Sequence, residues 1–338
     1  MSIERTIFAA LQITCLVMTI SVSNHLPGMQ EAEPRIQTGM GWSADDSVIV
    51  IGTDQGLAIH NAADLSDVTF VASDAELRSL DTSSVENQVV LGTADGQLQI
   101  WDLTPAQMVS SVQAFDYAPY SSIDWSPNGQ FVVFSTIGAP AQIWDVQNLA
   151  LHTELPDAVG TSLRWNSTSD QLVGNAYFTG YFATHIWNID GDLMYKLLPV
   201  GGTSVLEWSP DEDWIIGGAG DTLRLWDAED GSLINTNEFI EGVFSVAWSP
   251  DSSSFAIYLT DLIDANSIQI WSVDAYRMEH ELSYDISHFE YINNTMSWSH
   301  SGDRFAAISG EGHLYVWDAE TFELLDEYDG YRPERLNN

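Results

Sequence analysis

Seven times along this chain of 338 residues, a short apolar strand ends in Trp-Asp or a near relative of that pair. The series is Ile59-His60-Asn61, Ile100-Trp101-Asp102, Ile143-Trp144-Asp145, Ile186-Trp187-Asn188, Leu225-Trp226-Asp227, Ile270-Trp271-Ser272 and Val316-Trp317-Asp318. Successive members stand 41, 43, 43, 39, 45 and 46 residues apart, a period that no helical repeat explains and that suits four short strands plus their turns. A second series marks the turns between strands: Trp42-Ser43, Trp125-Ser126-Pro127, Trp165-Asn166, Trp208-Ser209-Pro210, Trp248-Ser249-Pro250 and Trp298-Ser299. Leu80-Asp81 is read as its degenerate seventh member.

The segment from Ser204 to Asn237 shows how one unit is built. Val205 and Leu206 open a strand, Ser209-Pro210-Asp211 turns it, and Trp214-Ile215-Ile216 runs back. Proline presets the backbone for the turn and aspartate accepts from nearby N–H groups, so this tripeptide reverses the chain for a physical reason. A glycine-rich turn from Gly217 to Asp221 leads to the alternating Leu223-Arg224-Leu225-Trp226, and Ala228 to Gly231 leads to an outer strand through Leu233 and Ile234.

These residues resemble the WD-repeat β-propeller family over Ile36 to about Gly330. "GTADGQLQIWD" (Gly92–Asp102), "GGAGDTLRLWD" (Gly217–Asp227) and "WSPNGQFVVFS" (Trp125–Ser135) are similar to its consensus. The resemblance implies an all-β, seven-bladed β-propeller of four-stranded antiparallel blades around a central channel. The family's Gly-His before the inner strand is absent from every blade, so its His–Ser/Thr–Trp–Asp hydrogen-bond tetrad is expected to be degraded. Asp54, Asp95 and Asp221 fit the tight-turn aspartate, and His288 fits a displaced relic of the histidine. "FELLDEYDG" after Trp317 is able to supply the seventh outer strand, so closure of the ring does not call for an N-terminal strand.

Ahead of the repeats lies an uncharged stretch from Thr6 to Asn24, read as an N-terminal hydrophobic helix. Thr6–Val22 as a helix reaches about 25 Å, short of a hydrocarbon layer of roughly 30 Å. Residues 1–23 therefore read as a signal peptide or a membrane anchor, with Ser21 and Ser23 small enough for a cleavage site before Asn24. Residues 24–35 read as a linker, 36–330 as the propeller and 331–338 as a C-terminal tail. Cys15, the one cysteine, excludes an internal disulfide and a cysteine-based zinc site.

Charge narrows the partners. With 49 acidic residues against 10 basic, the net charge is −39, and Lys196 is the one lysine. Phosphate recognition needs basic clusters that this chain cannot supply, so nucleic acid is excluded as a partner. Such acidity resembles that of proteins from salt-loving organisms, and is equally compatible with an acidic extracellular protein.

No nucleophile elbow, HExxH, phosphate loop or dinucleotide fingerprint occurs, so no catalytic residue is assigned and no cofactor is expected. His60 replaces a core tryptophan, and His152, His185 and His280 lie on strands, where packing explains them. Aromatics gather instead in three segments: "AFDYAPY" with Phe115, Tyr117 and Tyr120, "YFTGYF" with Phe178 and Tyr181, and "YDISHFEY" with Tyr284, His288 and Phe289. Propellers of this family act as platforms, which makes these rings the candidate partner-binding set. Asp261, Asp264 and Asn266 are weak calcium candidates, as are Asn188, Asp190 and Asp192 in "NIDGD", neither with a full calcium loop.

The sequence thus leads to a non-catalytic, monomeric propeller outside the cytoplasm that binds a protein through its loop face. Two alternatives stand beside it. One is an accessory subunit held in a membrane complex by residues 6–22, and the other an extracytoplasmic enzyme or small-ligand binder using carboxylates at the channel mouth.

Overall fold

In a computed structural model, the structure describes residues 34–178, 181–197, 203–260, 266–282, 295–309 and 312–331. Residues 1–33, including the expected hydrophobic helix, lie outside the described residues. What is described forms 28 strands in seven four-stranded antiparallel sheets. Blade 1 is β1 (Ile36–Trp42), β2 (Val48–Thr53), β3 (Gly56–Asn61) and β4 (Asp64–Ala72). Blade 2 is β5 (Leu77–Thr82), β6 (Gln88–Thr93), β7 (Gln97–Leu103) and β8 (Ala106–Gln113). Blade 3 is β9 (Ser121–Trp125), β10 (Phe131–Thr136), β11 (Ala141–Asp145) and β12 (Ala150–Leu155). Blade 4 is β13 (Ala158–Trp165), β14 (Gln171–Phe178), β15 (Tyr181–Asn188) and β16 (Leu193–Lys196). Blade 5 is β17 (Val205–Trp208), β18 (Trp214–Ala219), β19 (Thr222–Asp227) and β20 (Leu233–Glu238). Blade 6 is β21 (Gly242–Trp248), β22 (Ser254–Thr260), β23 (Asn266–Ser272) and β24 (Arg277–Leu282). Blade 7 is β25 (Met296–Trp298), β26 (Arg304–Ile308), β27 (Leu314–Asp318) and β28 (Leu324–Tyr328).

The tryptophans explain why these sheets stack radially. Twelve of the thirteen belong to the two repeated series, ending inner strands or third strands, and all but the half-buried Trp271 of these twelve are buried. The apolar core is divided accordingly into seven clusters, each shared by two neighbouring blades. A blade alone would expose both its faces, so the ring is the smallest unit that removes this surface from water.

Two local devices carry the repeat. In the turn after the inner strand, Ser209 Oγ accepts from Trp214 N at 2.9 Å and donates to Asp211 Oδ1 at 2.6 Å. The same pair of bonds joins Ser126 to Phe131 N and Asn128, and Ser249 to Ser254 N and Asp251. In the third strand, Gln99, Gln142 and Gln269 each accept the indole N–H of the tryptophan two residues on, at 3.0–3.1 Å. This Gln-x-Trp bond satisfies the indole donor of the buried Trp101 and Trp144 and of the half-buried Trp271.

The register corrects one detail of the repeat. Thr82 pairs with Val89 as Trp42 pairs with Ile49 and Trp125 with Val132, and Ser83 N bonds to Gln88 O like the other turn serines. The degenerate turn of blade 2 is therefore Thr82-Ser83, not Leu80-Asp81. Threonine suits the position because Gly41 of blade 1 packs on it, so closely that a Cβ on Gly41 would lie 2.6 Å from Thr82 Oγ1.

Blade 7 meets blade 1 without exchanging a strand, since every blade is made of consecutive strands. Trp42 Nε1 donates to Ser297 O at 3.3 Å near the axis. On one face, His300 N and Ser301 N both donate to the Asp46 carboxylate at 2.8 Å. The Arg304 guanidinium donates to Ala62 O, and at the rim Leu65 N donates to Asp326 Oδ2 at 2.9 Å. Tyr331, assigned by the sequence to a tail, is buried in the blade 7–blade 1 core, where its hydroxyl bonds His60 Nε2. His60 Nδ1 donates to Leu65 O at 2.8 Å, which fixes the tautomer. Burial pushes this imidazole down to about 4.

Candidate binding face

Antiparallel up-and-down blades send their connections to two faces. The Trp-Ser turns and the third-to-fourth-strand turns emerge on one. The second-to-third-strand turns, and the connections from each outer strand to the next inner strand, emerge on the other, which we call the loop face. Of the three aromatic segments singled out above, "AFDYAPY" lies in the β8–β9 connection and "YFTGYF" spans the β14–β15 hairpin, both loop-face positions, while "YDISHFEY" lies outside the described residues.

In the β8–β9 connection the rings divide. Phe115 is buried, packing edge-on against Phe134 with ring centres 5.1 Å apart, so it supports the loop rather than offering a contact. Tyr117 and Tyr120 are 66% and 51% exposed. Ile137, in the neighbouring β10–β11 turn, is 61% exposed, and its N–H bonds Tyr120 O at 3.3 Å. Ile240, 95% exposed, stands in the β20–β21 connection on the same face. Neither isoleucine was singled out by the sequence, although both are apolar residues beside turn signals.

The loop is held by its backbone. Ala114 N and Phe115 N both donate to Gly96 O at 3.0 Å, and Ala118 N donates to Ala94 O at 2.9 Å. Gly96 has φ +81, and a Cβ there would lie 2.0 Å from Phe115 O. Only glycine fits this crossing, which ties the connection to the β6–β7 turn.

Of the other aromatic candidates, Phe178 and Tyr181 pair across the β14–β15 hairpin, and their side chains lie outside the described residues. Tyr284, His288 and Phe289 also lie outside the described residues. So do the calcium candidates Asp261 and Asp264 and the side chain of Asn266. Within "NIDGD", Asn188 and Asp192 serve their own turn, with Asn188 Oδ1 accepting from Asp192 N at 2.8 Å and Asn188 Nδ2 donating to Asp192 Oδ2 at 3.2 Å, while Asp190 Oδ1 lies 3.8 Å from His152 Nε2 of blade 3.

Four of the seven residues that precede the turn motifs on the inner strands are charged, and their bonds run within the ring. The residue before each turn motif is Gly41, Asp81, Asp124, Arg164, Glu207, Ala247 and Ser297 in blade order. Asp81 Oδ2 accepts Trp125 N at 2.6 Å and Asp124 Oδ2 accepts Trp165 N at 2.7 Å, each capping the inner strand of the next blade. Arg164 Nε lies 2.7 Å from Glu207 Oε1 and 3.8 Å from Asp124 Oδ1. Asp124 and Glu207 keep 14% and 25% of their side-chain surface, so they are largely though not completely withdrawn from solvent. That desolvation raises all three carboxyl groups despite Arg164, Asp81 to about 6. The adjoining cavity, lined by Ser162, Arg164, Glu207 and Ser245 among others, measures about 10 Å³. It has room for one water, far below a small-molecule site of about 300–1,000 Å³.

A wider cleft of about 380 Å³ opens on the opposite face at the blade 7–blade 1 seam, lined by Asp46, Asn61, Ser299, Asp303 and Arg304 among others. Its Asp46 and Arg304 are the groups that bond the seam.

Comparison with known proteins agrees with this architecture. The family model "WD domain, G-beta repeat" matches residues 200–227, and the model "Eukaryotic translation initiation factor eIF2A" matches residues 79–200. The B-type cell cycle switch protein ccs52B of Medicago truncatula is 23% identical over 265 residues, covering 74% of this chain and 51% of that protein. The guanine nucleotide-binding protein subunit beta of Oryza sativa subsp. indica is 23% identical over 283 residues, covering 76% and 72%. The chain thus spans about half the length of the first of these relatives. A chain in the crystal structure of the mitotic checkpoint complex superposes with a TM-score of 0.71 at 16% identity, covering 89% of this chain and 99% of that one, a likeness of fold. With seven blades, paired tryptophan series and a matching repeat model, the chain has the fold and the repeat pattern of a WD-repeat β-propeller, its seven repeats degenerate.

Proposed function

We propose that this chain is a non-catalytic scaffold that holds a protein partner on its loop face, outside the cytoplasm. The observation that carries the reading is the exposure of Tyr117, Tyr120, Ile137 and Ile240 on that one face. Exposed apolar side chains on a rigid frame form the centre of protein interfaces, where aromatic anchors supply most of the affinity. Relatives that are subunits or cofactors of assemblies support it, among them the Gβ subunit and "Cell division cycle 20.1, cofactor of APC complex" of Arabidopsis thaliana. The extracytoplasmic part rests on the uncharged stretch Thr6–Asn24.

Crosslinked affinity capture of the native protein, read by peptide mass spectrometry, tests both parts. A stoichiometric partner crosslinked to the loop face, with the chain recovered from an exported or membrane fraction, is the expected result. Crosslinks confined to the Trp-Ser turns of the opposite face, or no partner at all, would overturn the scaffold reading. A chain recovered from the cytoplasm would overturn the localisation.

A further inference from the structure

Among the described residues, three exposed apolar side chains of the loop face, Tyr117, Tyr120 and Ile137, belong to the β8–β9 connection and the β10–β11 turn bonded to it, where blade 2 passes to blade 3. Tyr120 O accepts from both Ile137 N, at 3.3 Å, and Thr136 Oγ1, at 3.0 Å, which fixes the β8–β9 connection against the β10–β11 turn. Seven residues of loop, Ala114–Tyr120, send Phe115 and Ala118 into the core and Tyr117 and Tyr120 into solvent. Gly138, next to Ile137, meets no atom within 4 Å of a built Cβ, so the ground beside the patch is open. A loop pinned by its backbone at Ala94, Gly96 and Tyr120 loses little entropy when something docks on it, and tyrosines are stiff, amphipathic anchors.

Two exposed carboxylates border this patch. Asp116 is exposed between the two positions, and Asp95 is exposed in the β6–β7 turn to which the loop is bonded. Arg78, on the inner strand β5 of the same blade, is ion-paired to Glu76, whose carbonyl accepts from Ala94 N. The remainder of the chain adds repulsion for anything anionic, at a net −39.

We infer that the blade 2–blade 3 junction, through Tyr117, Tyr120 and Ile137 with Asp95 and Asp116 beside them, docks a basic linear segment of a partner protein, an apolar side chain flanked by lysine or arginine. This deepens the scaffold reading and rests on it. The apolar anchor covers the tyrosine–isoleucine patch and the flanking cations meet Asp95 and Asp116, so the contact discriminates against acidic segments by charge as well as by fit.

A displayed library of short random linear peptides, selected on the full chain, tests the inference without knowledge of the natural partner. Expected is enrichment of peptides with an aromatic or aliphatic residue flanked by Lys or Arg. Their binding to the Tyr117→Ser/Tyr120→Ser/Ile137→Ser variant should be at least about tenfold weaker, at unchanged melting temperature, since these side chains are exposed. Asp95→Asn/Asp116→Asn should weaken the same peptides and flatten their salt dependence, which separates the charge contribution from the apolar one. Enriched peptides that are acidic, or that bind the triple variant undiminished, overturn the assigned chemistry or place while leaving a protein-binding scaffold standing. No enrichment overturns the linear-segment inference, and capture of a folded partner then decides the scaffold reading separately.

Discussion

Replacing Arg164 with methionine removes the one cation from a group of three carboxylates. Its Nε lies 2.7 Å from Glu207 and 3.8 Å from Asp124, and its charge also acts on Asp81. Taking away one side of a buried ion pair costs about 3–5 kcal/mol, because the remaining charge stays desolvated and unpaired. Asp124 and Glu207 keep 14% and 25% of their side-chain surface exposed, which places the loss near the lower end, about 3 kcal/mol at slightly alkaline pH. The pH dependence has a definite sign. Folded-state values raised above the ordinary carboxylate value mean that the folded chain holds more protons than the unfolded one, so stability falls as pH rises through that window. Without Arg164 the carboxyl groups rise further, so the variant should lose most at alkaline pH and recover as pH falls toward about 5. Urea unfolding across that range, on the wild type, Arg164→Met and Arg164→Met/Glu207→Leu, measures this directly. The double variant should be more stable than the single one, because it removes the orphaned carboxylate together with its partner. A loss independent of pH, or a double variant no better than the single, refutes the reasoning.

Four other outcomes follow from the same geometry. Tyr331→Ala should cost about 3–5 kcal/mol and Tyr331→Phe about 1 kcal/mol, with amide exchange accelerated first in β1 and β25, because the ring seam rather than a remote blade is weakened. His60, depressed to about 4 by burial, is neutral in the folded protein, so it contributes stability that is lost as pH falls from about 6.5 toward 4. His60→Gln should flatten that acid limb in a pH series of melting curves. His185 is buried with both ring nitrogens lacking a hydrogen-bond partner, so His185→Leu should leave stability unchanged or raise it by about 1 kcal/mol in denaturant titrations. Gln142→Leu should cost about 1–2 kcal/mol by orphaning the Trp144 indole N–H, and a neutral result would remove the Gln-x-Trp bond from the account.

What could be read from the sequence was what neighbouring residues encode. The blade count followed from tryptophans and turns whose partners lie within a few residues, as Ser209, Asp211 and Trp214 do. The seam did not, because His60 and Tyr331 are 271 positions apart and nothing local marks Tyr331 as more than a tail. Blade 2 was misaligned by two residues because its turn lacks the tryptophan, although the spacing from Ser83 to Gln88 matches that from Ser126 to Phe131. The channel group escaped notice for a similar reason: Asp81, Asp124, Arg164 and Glu207 are unremarkable singly. Aligning the residue before each turn motif brings them into one row. At the loop face the aromatic cluster of Ala114–Tyr120 was legible, whereas the division between inward Phe115 and outward Tyr117 depends on Gly96 and Phe134, which belong to other hairpins.

The most direct test of the scaffold account is hydrogen exchange on the captured complex against the free chain. The account predicts protection at residues 94–97, 114–120 and 137–140, with the Trp-Ser turns of the opposite face unchanged. Protection confined to those turns or to the outer strands, with the loop face exchanging as in the free protein, would contradict it.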